Sequence, residues 1–210
     1  MNPPIDLIKY DSIIFDLGGV LINIDYLKTK YAFEEIGIRN FDALFTQFNQ
    51  DQLFDQFEKG EISPENFYEN LKNKAEIEIS ISEFNRAWNA MLLDFPEERM
   101  RLLENLKKSH RLFLLSNTNS LHIPSFKQSI KKEGLYDRFI NVFEKHYYSS
   151  EVGMRKPDSE IYDLVVQENK LLKEKTLFID DSPQHVEGAI RAGLDALHLK
   201  PGQNITEIIK

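Results

Sequence analysis

The apolar residues of this chain gather into a few short runs, and each run ends on a residue with chemistry of its own. Ile13-Ile14-Phe15 runs into Asp16 and then into the Leu17-Gly18-Gly19 turn. Leu112–Leu115 runs into Ser116-Asn117-Thr118-Asn119, and Leu177-Phe178-Ile179 into Asp180-Asp181-Ser182-Pro183. Runs of this length bounded by turn residues predict buried strands. Further strands are predicted over Ala196–Leu199 and near Val142-Phe143. Helical periodicity predicts helices over 97–108, 158–170 and 184–192. Strands alternating with helices in this way predict an α/β fold with a doubly wound parallel sheet.

The stretch from about 26 to 95 breaks that alternation. It carries no strand pattern and is polar, helical and rich in aromatics. Phe41, Phe45 and Phe48 recur at spacings of four and three, as one helix face requires. Ser63-Pro64-Glu65 predicts a helix start, with Ser63 as N-cap and Pro64 in the first helical position. Ser82-Glu83 predicts another, whose helix carries Phe84, Ala87, Trp88 and Met91 on one face. About 70 helical residues between the first strand and the rest predict an inserted unit. The expected division is a core of residues 1–24 and 96–210 with a helical cap of residues 25–95.

Composition narrows the function classes. The chain has 210 residues, 41% apolar and 29% charged, with a net charge of -8. An acidic balance argues against nucleic acid or an anionic membrane as partner, since both need basic patches. The absence of cysteine removes disulfides, thiolate catalysis and Cys-ligated metals. No apolar stretch approaches the roughly 20 residues of a membrane helix. The first residues lack the basic and apolar regions of a secretory signal, so a cytoplasmic protein is expected. A monomer or weak homodimer is expected as well.

The strand ends hold the candidate chemistry. Ligands of open α/β sheets bind at the carboxyl ends of the strands, where Asp16 is placed. Adjacent Asp180 and Asp181 repel each other unless one protonates or a cation intervenes. With Asp16 they offer an all-oxygen site, which favours Mg²⁺ over zinc or copper. His110, His122, His146, His185 and His198 show no ligand-like spacing, so histidine–metal chemistry is not expected. Ser116-Asn117-Thr118 suits an anion such as phosphate. In Gly153-Met154-Arg155-Lys156-Pro157, Pro157 is expected to open a helix and to hold Lys156 at its mouth.

Phe15-Asp16-Leu17-Gly18-Gly19-Val20, Leu115-Ser116-Asn117-Thr118, Gly153–Pro157 and Ile179-Asp180-Asp181 resemble, in order and spacing, the four motifs of the haloacid dehalogenase superfamily. The helical insert falls where that superfamily carries its cap. Glu58-Lys59-Gly60-Glu61-Ile62-Ser63 and Leu115–Leu121 are similar to its bacterial α-D-glucose-1-phosphatase subgroup. The resemblance implies that Asp16 is the nucleophile of a phosphoaspartate mechanism. Ser116 and Asn117 would hold phosphoryl oxygens, and Lys156 would bridge the phosphate and Asp16. Asp181, with Asp180, Asp16 and the Gly18 carbonyl, would hold Mg²⁺.

The chain departs from that pattern at Gly18, where most phosphatases of the superfamily carry a second aspartate as general acid. A missing general acid costs about 10²–10⁴-fold. A good leaving group such as that of a sugar 1-phosphate tolerates the loss, and the named subgroup also has glycine there. The expected function is a Mg²⁺-dependent phosphatase acting on a small phosphorylated metabolite, a sugar phosphate foremost. The alternatives are a metal-independent 2-haloacid dehalogenase, a phosphomutase and a non-catalytic binding protein. Asp25, Gln47, Phe54 and Glu61 are the residues of the insert considered for contact with the leaving group.

Overall fold

The computed structural model describes residues 5–38, 41 and 52–209. Five strands form one parallel sheet: β1 (Ser12–Phe15), β2 (Arg111–Ser116), β3 (Lys145–Tyr148), β4 (Thr176–Asp180) and β5 (Asp195–His198), in the order β3-β2-β1-β4-β5. β1 therefore lies at the centre, with β2 on one side and β4 on the other. The register pairs Phe15 with Leu114 and with Ile179, so Asp16 leaves the sheet beside Asp180 and close to Ser116. That is the point where the strand order reverses, the place where doubly wound sheets bind ligands.

Alternation along the strands sorts the core into two layers. Ile13, Phe15, Leu112, Leu114, Leu177 and Ile179 face α5 (Glu97–Leu106), α6 (His122–Lys132), α7 (Tyr136–Val142) and α11 (Ile205–Ile208). Ile14, Phe113, Leu115, Tyr147 and Phe178 face α9 (Ser159–Asn169) and α10 (Pro183–Arg191). A short helix, α8 (Ser149–Val152), follows β3.

Between β1 and β2 the chain inserts α1 (Tyr26–Glu35), α2 (Gln52–Glu58), α3 (Pro64–Ala75) and α4 (Ile81–Asn89). These helices bury a third core built largely of aromatic rings, with Phe67 stacked on Phe57 at 4.1 Å and set edge-on to Trp88 at 4.7 Å. Phe41 stacks on Phe33 at 4.5 Å, while Phe45 and Phe48 lie outside the described residues. Ser63 caps α3 by accepting from Asn66 N, as the sequence predicts. Among the described residues no helix is long and apolar enough to cross a membrane.

Three local expectations are corrected. Val142-Phe143 is no strand: Val142 closes α7, and the edge strand β3 begins at Lys145. Its residues Lys145 and His146 are polar because an edge strand is covered less, so the more β-like Val-Phe pair drew the assignment. The N-cap of α4 is Ser80 and not Ser82. Ser80 and Glu83 form a reciprocal capping box, so Glu83 is its third residue rather than its first. Pro157 does not open α9, whose N-cap is Asp158.

Candidate active site

Lys156 is the centre of the charge cluster at the strand ends. It is fully buried, and its Nζ donates to Asp16 Oδ1 at 2.5 Å, Asp180 Oδ2 at 2.7 Å and the Leu115 carbonyl at 2.9 Å. Its backbone is held by Asn117, whose Oδ1 accepts from Lys156 N at 2.9 Å and whose Nδ2 donates to Lys156 O at 2.8 Å. The lysine is thus fixed by the loop after β2 and not by the helix mouth expected from Pro157.

The three carboxylates differ. Asp180, the last residue of β4, accepts at Oδ1 from Ser182 N at 2.8 Å and from His185 Nδ1 at 3.1 Å, besides the lysine at Oδ2. Burial alone would raise its pKa, but Lys156 and then His185 overrule it and hold the group below the usual carboxylate range. Burial raises Asp16 more than Lys156 lowers it, and repulsion from Asp180 and Asp181 adds to the rise. Asp181 is likewise pushed up by burial and by Asp180. Pairing with Asp16 and Asp180 outweighs burial at Lys156 and raises it, keeping the ammonium charged.

One lysine cannot balance three carboxylates, and the oxygens of Asp16, Asp180 and Asp181 converge to within 4.8 Å of one another. This hard, all-oxygen donor set with surplus negative charge fits a divalent cation such as Mg²⁺. Gly19 supports the same reading. Its φ is +73°, and a Cβ there would stand 2.1 Å from Asp181 Oδ2, so only glycine lets the β1 loop close over this carboxylate.

A cavity opens from Asp16 towards the insert. Its lining includes Gly18, Ser116, Asn117, Asp181 and His185 from the core, and Tyr26, Phe54, Glu58, Trp88 and Met91 from the inserted helices. The Tyr26 ring has an exposed edge, but its hydroxyl end is enclosed, and burial followed by the charges of Asp181 and Asp16 raises its pKa. Arg155, next to Lys156, ion-pairs with Asp55 and, at 2.9 Å, with Glu58. The insert is tied to the core immediately beside Lys156.

Of the predicted site residues, Asp16, Gly18, Ser116, Asn117, Lys156, Asp180 and Asp181 all meet at the β1–β2–β4 strand ends. Asn117 departs from expectation in one respect, because both ends of its side-chain amide are spent on the Lys156 backbone. Among the residues of the insert, Phe54 lines the cavity. Asp25 caps α1 by accepting from Leu27 N, and Glu61 is solvent-exposed and outside the lining. Gln47 lies outside the described residues. His185, Arg155, His122 and Trp88 also line the cavity, a placement that the sequence pattern does not show. The readable signal for His185 was its place one turn into a helix that begins directly after Asp180-Asp181.

The chain belongs to the haloacid dehalogenase-like hydrolase family, whose model matches residues 13–199. A D-ribitol-5-phosphate phosphatase from Bacteroides thetaiotaomicron is 27% identical over 94% of this chain and 98% of its own length. A sesquiterpene phosphatase from Aspergillus oryzae is 29% identical over 90% of each chain. The structure of the wild-type HAD family enzyme BT-2542 from B. thetaiotaomicron, in complex with magnesium and inorganic phosphate, superposes with a TM-score of 0.83. It is 32% identical and covers 96% of this chain and all of that one.

Proposed function

We propose that this protein is a Mg²⁺-dependent phosphatase that hydrolyses a small phosphorylated sugar or polyol through a phosphoaspartate on Asp16. The observation that carries the reading is the buried Lys156 held between Asp16 and Asp180, with Asp181 turned to the same space. The related structure with magnesium and phosphate and the ribitol-5-phosphate phosphatase relative support it.

Asp16 attacks phosphorus, the bond to the leaving oxygen breaks, and that oxygen takes up a proton. Water then attacks the phosphoaspartate, releasing phosphate and restoring the carboxylate. Lys156 steadies the Asp16 carboxylate and offers positive charge to the phosphoryl oxygens, the main source of rate in such transfers. Ser116 and the main chain at Asn117 face those oxygens. Asp180 orients Lys156 and is itself oriented by Ser182 and His185. Asp16, Asp181 and the Gly18 carbonyl would hold Mg²⁺, with Asp180 beside them. Bound there, the ion supplies Lewis-acid neutralisation of the phosphoryl charge.

The Gly18 position carries no acid. A Cβ at Gly18 would meet only Ile24, whose terminal Cδ1 methyl at 2.4 Å can turn away by a change of rotamer. Substrates whose leaving oxygen departs readily, such as sugar 1-phosphates, suit this arrangement. The insert of residues 25–95 is read as the cap that covers the site and excludes water. The Asp16→Asn variant tests the assignment: it should fold and lose turnover by several orders of magnitude. Substantial residual phosphate release would remove Asp16 as nucleophile.

A further inference from the structure

We propose that the His122 imidazole reads a hydroxyl on the substrate's leaving group, with Nε2 accepting the hydroxyl hydrogen, so that the site selects polyol and sugar phosphates over alkyl phosphates. This rests on the phosphatase reading above and specifies which half of the substrate is recognised, and by what.

The geometry fixes the ring completely. His122 opens α6, is buried and lines the same cavity as Asp16. Its Nδ1 lies 2.9 Å from Asn89 Oδ1. The Asn89 amide is oriented by its own Nδ2, which donates to the Asn85 carbonyl at 2.8 Å. Oδ1 can only accept, so Nδ1 carries the hydrogen and Nε2 presents a lone pair. The ring lies flat on Trp88, with centroids 5.4 Å apart and planes 7° apart. Trp88 Nε1 in turn donates to Asn119 Oδ1 at 3.3 Å, the oxygen that also accepts from His122 N at 3.0 Å. Asn89 and Trp88 belong to the insert, Asn119 and His122 to the core.

Nε2 is the ring nitrogen left for the cavity. Burial pulls the His122 pKa down to about 3, so at neutral pH the ring shows an acceptor there and not a charge. An acceptor disfavours phosphoryl oxygens, which are acceptors themselves, and so addresses the leaving-group half. An alkyl chain cannot satisfy it, whereas a hydroxyl can. Glu58, Arg155 and Gln184 add polar groups to the same lining, while Phe54, Trp88 and Met91 give the C–H faces of a polyol an apolar wall.

The test compares kcat/KM for ribitol 5-phosphate and n-pentyl phosphate, with Mg²⁺, in the natural protein, His122→Leu and His122→Gln. The natural protein should prefer the pentitol ester by about tenfold or more, the worth of one hydrogen bond and the unpaired group its loss leaves. His122→Leu should lose about that factor on the pentitol ester alone, and His122→Gln, which restores an acceptor oxygen, should recover part of it. Equal losses on both esters, or none on either, would overturn the proposal. If His122→Leu does not fold, monodeoxy pentitol phosphates decide the matter with the natural protein. One deoxy position should then fall selectively, and a flat series would overturn the assignment. Absence of Mg²⁺-dependent release from every ester would instead bring down the phosphatase reading, and this proposal with it.

Discussion

Replacing Lys156 by methionine tests whether the charge cluster is held together in the way its geometry indicates. Methionine keeps most of the buried volume, so little cavity cost enters, and the change is chiefly electrostatic. It removes the donor to Asp16 at 2.5 Å, to Asp180 at 2.7 Å and to the Leu115 carbonyl at 2.9 Å, all from a fully buried position. Breaking a buried ion pair by deleting one partner costs about 3–5 kcal/mol, because the remaining charge stays desolvated. For a chain of this size each kcal/mol moves Tm by about 2–4 °C, so the metal-free variant should melt about 10 °C lower. The loss should also be conditional on charge. In the Lys156→Met background, Asp16→Asn should recover about 1–3 kcal/mol, since it removes one of the uncompensated carboxylates. Thermal melts of the two single variants, the double variant and the natural protein measure both effects. A drop below about 2 °C, or a double variant less stable than Lys156→Met, would show that Lys156 does not hold the carboxylates together.

Two further perturbations follow from the same neighbourhood. Gly18→Asp should fold with less than about 1 kcal/mol lost, because a Cβ there meets only the rotatable end of Ile24, and thermal melts measure this. A Tm lower by more than about 5 °C would contradict this. His122 imposes a pH dependence on stability. Its folded pKa of about 3 lies below the unfolded value near 6.5, so the unfolded chain binds the extra proton. Stability is therefore full above about pH 6.5 and falls with pH, by about 2 kcal/mol at pH 5 from this group alone. In urea titrations, the stability lost by the natural protein between pH 8 and pH 5 should exceed that lost by His122→Gln by that amount; parallel pH profiles would exclude a buried neutral histidine.

The core was legible because its signals are local. An apolar run that stops on an acid names both a strand and its functional end, which placed Asp16 and Asp180 correctly at adjoining strand ends. The distinction between Asp180 and Asp181 was not legible, because neighbouring identical side chains are told apart only by which way the strand turns each one. Here Asp180 is turned to Lys156, Ser182 and His185, and Asp181 to Gly19. The part played by the Asn117 side chain was hidden for a similar reason: its partner is backbone 39 residues away. The insert's contributions were the least readable. Trp88 and His122 belong to different layers, and helical periodicity shows that a residue is buried without showing what it is buried against.

Mg²⁺-dependent phosphoryl hydrolysis at Asp16 is tested by phosphate release from a panel of sugar and polyol phosphates together with p-nitrophenyl phosphate, measured with Mg²⁺ and with chelator, for the natural protein and Asp181→Ala. Chelator should abolish release, hydroxylated esters should be hydrolysed fastest, and Asp181→Ala should lower release and weaken its Mg²⁺ dependence. Turnover that persists in chelator, or none on any ester while Mg²⁺ binds, would contradict Mg²⁺-dependent hydrolysis at Asp16.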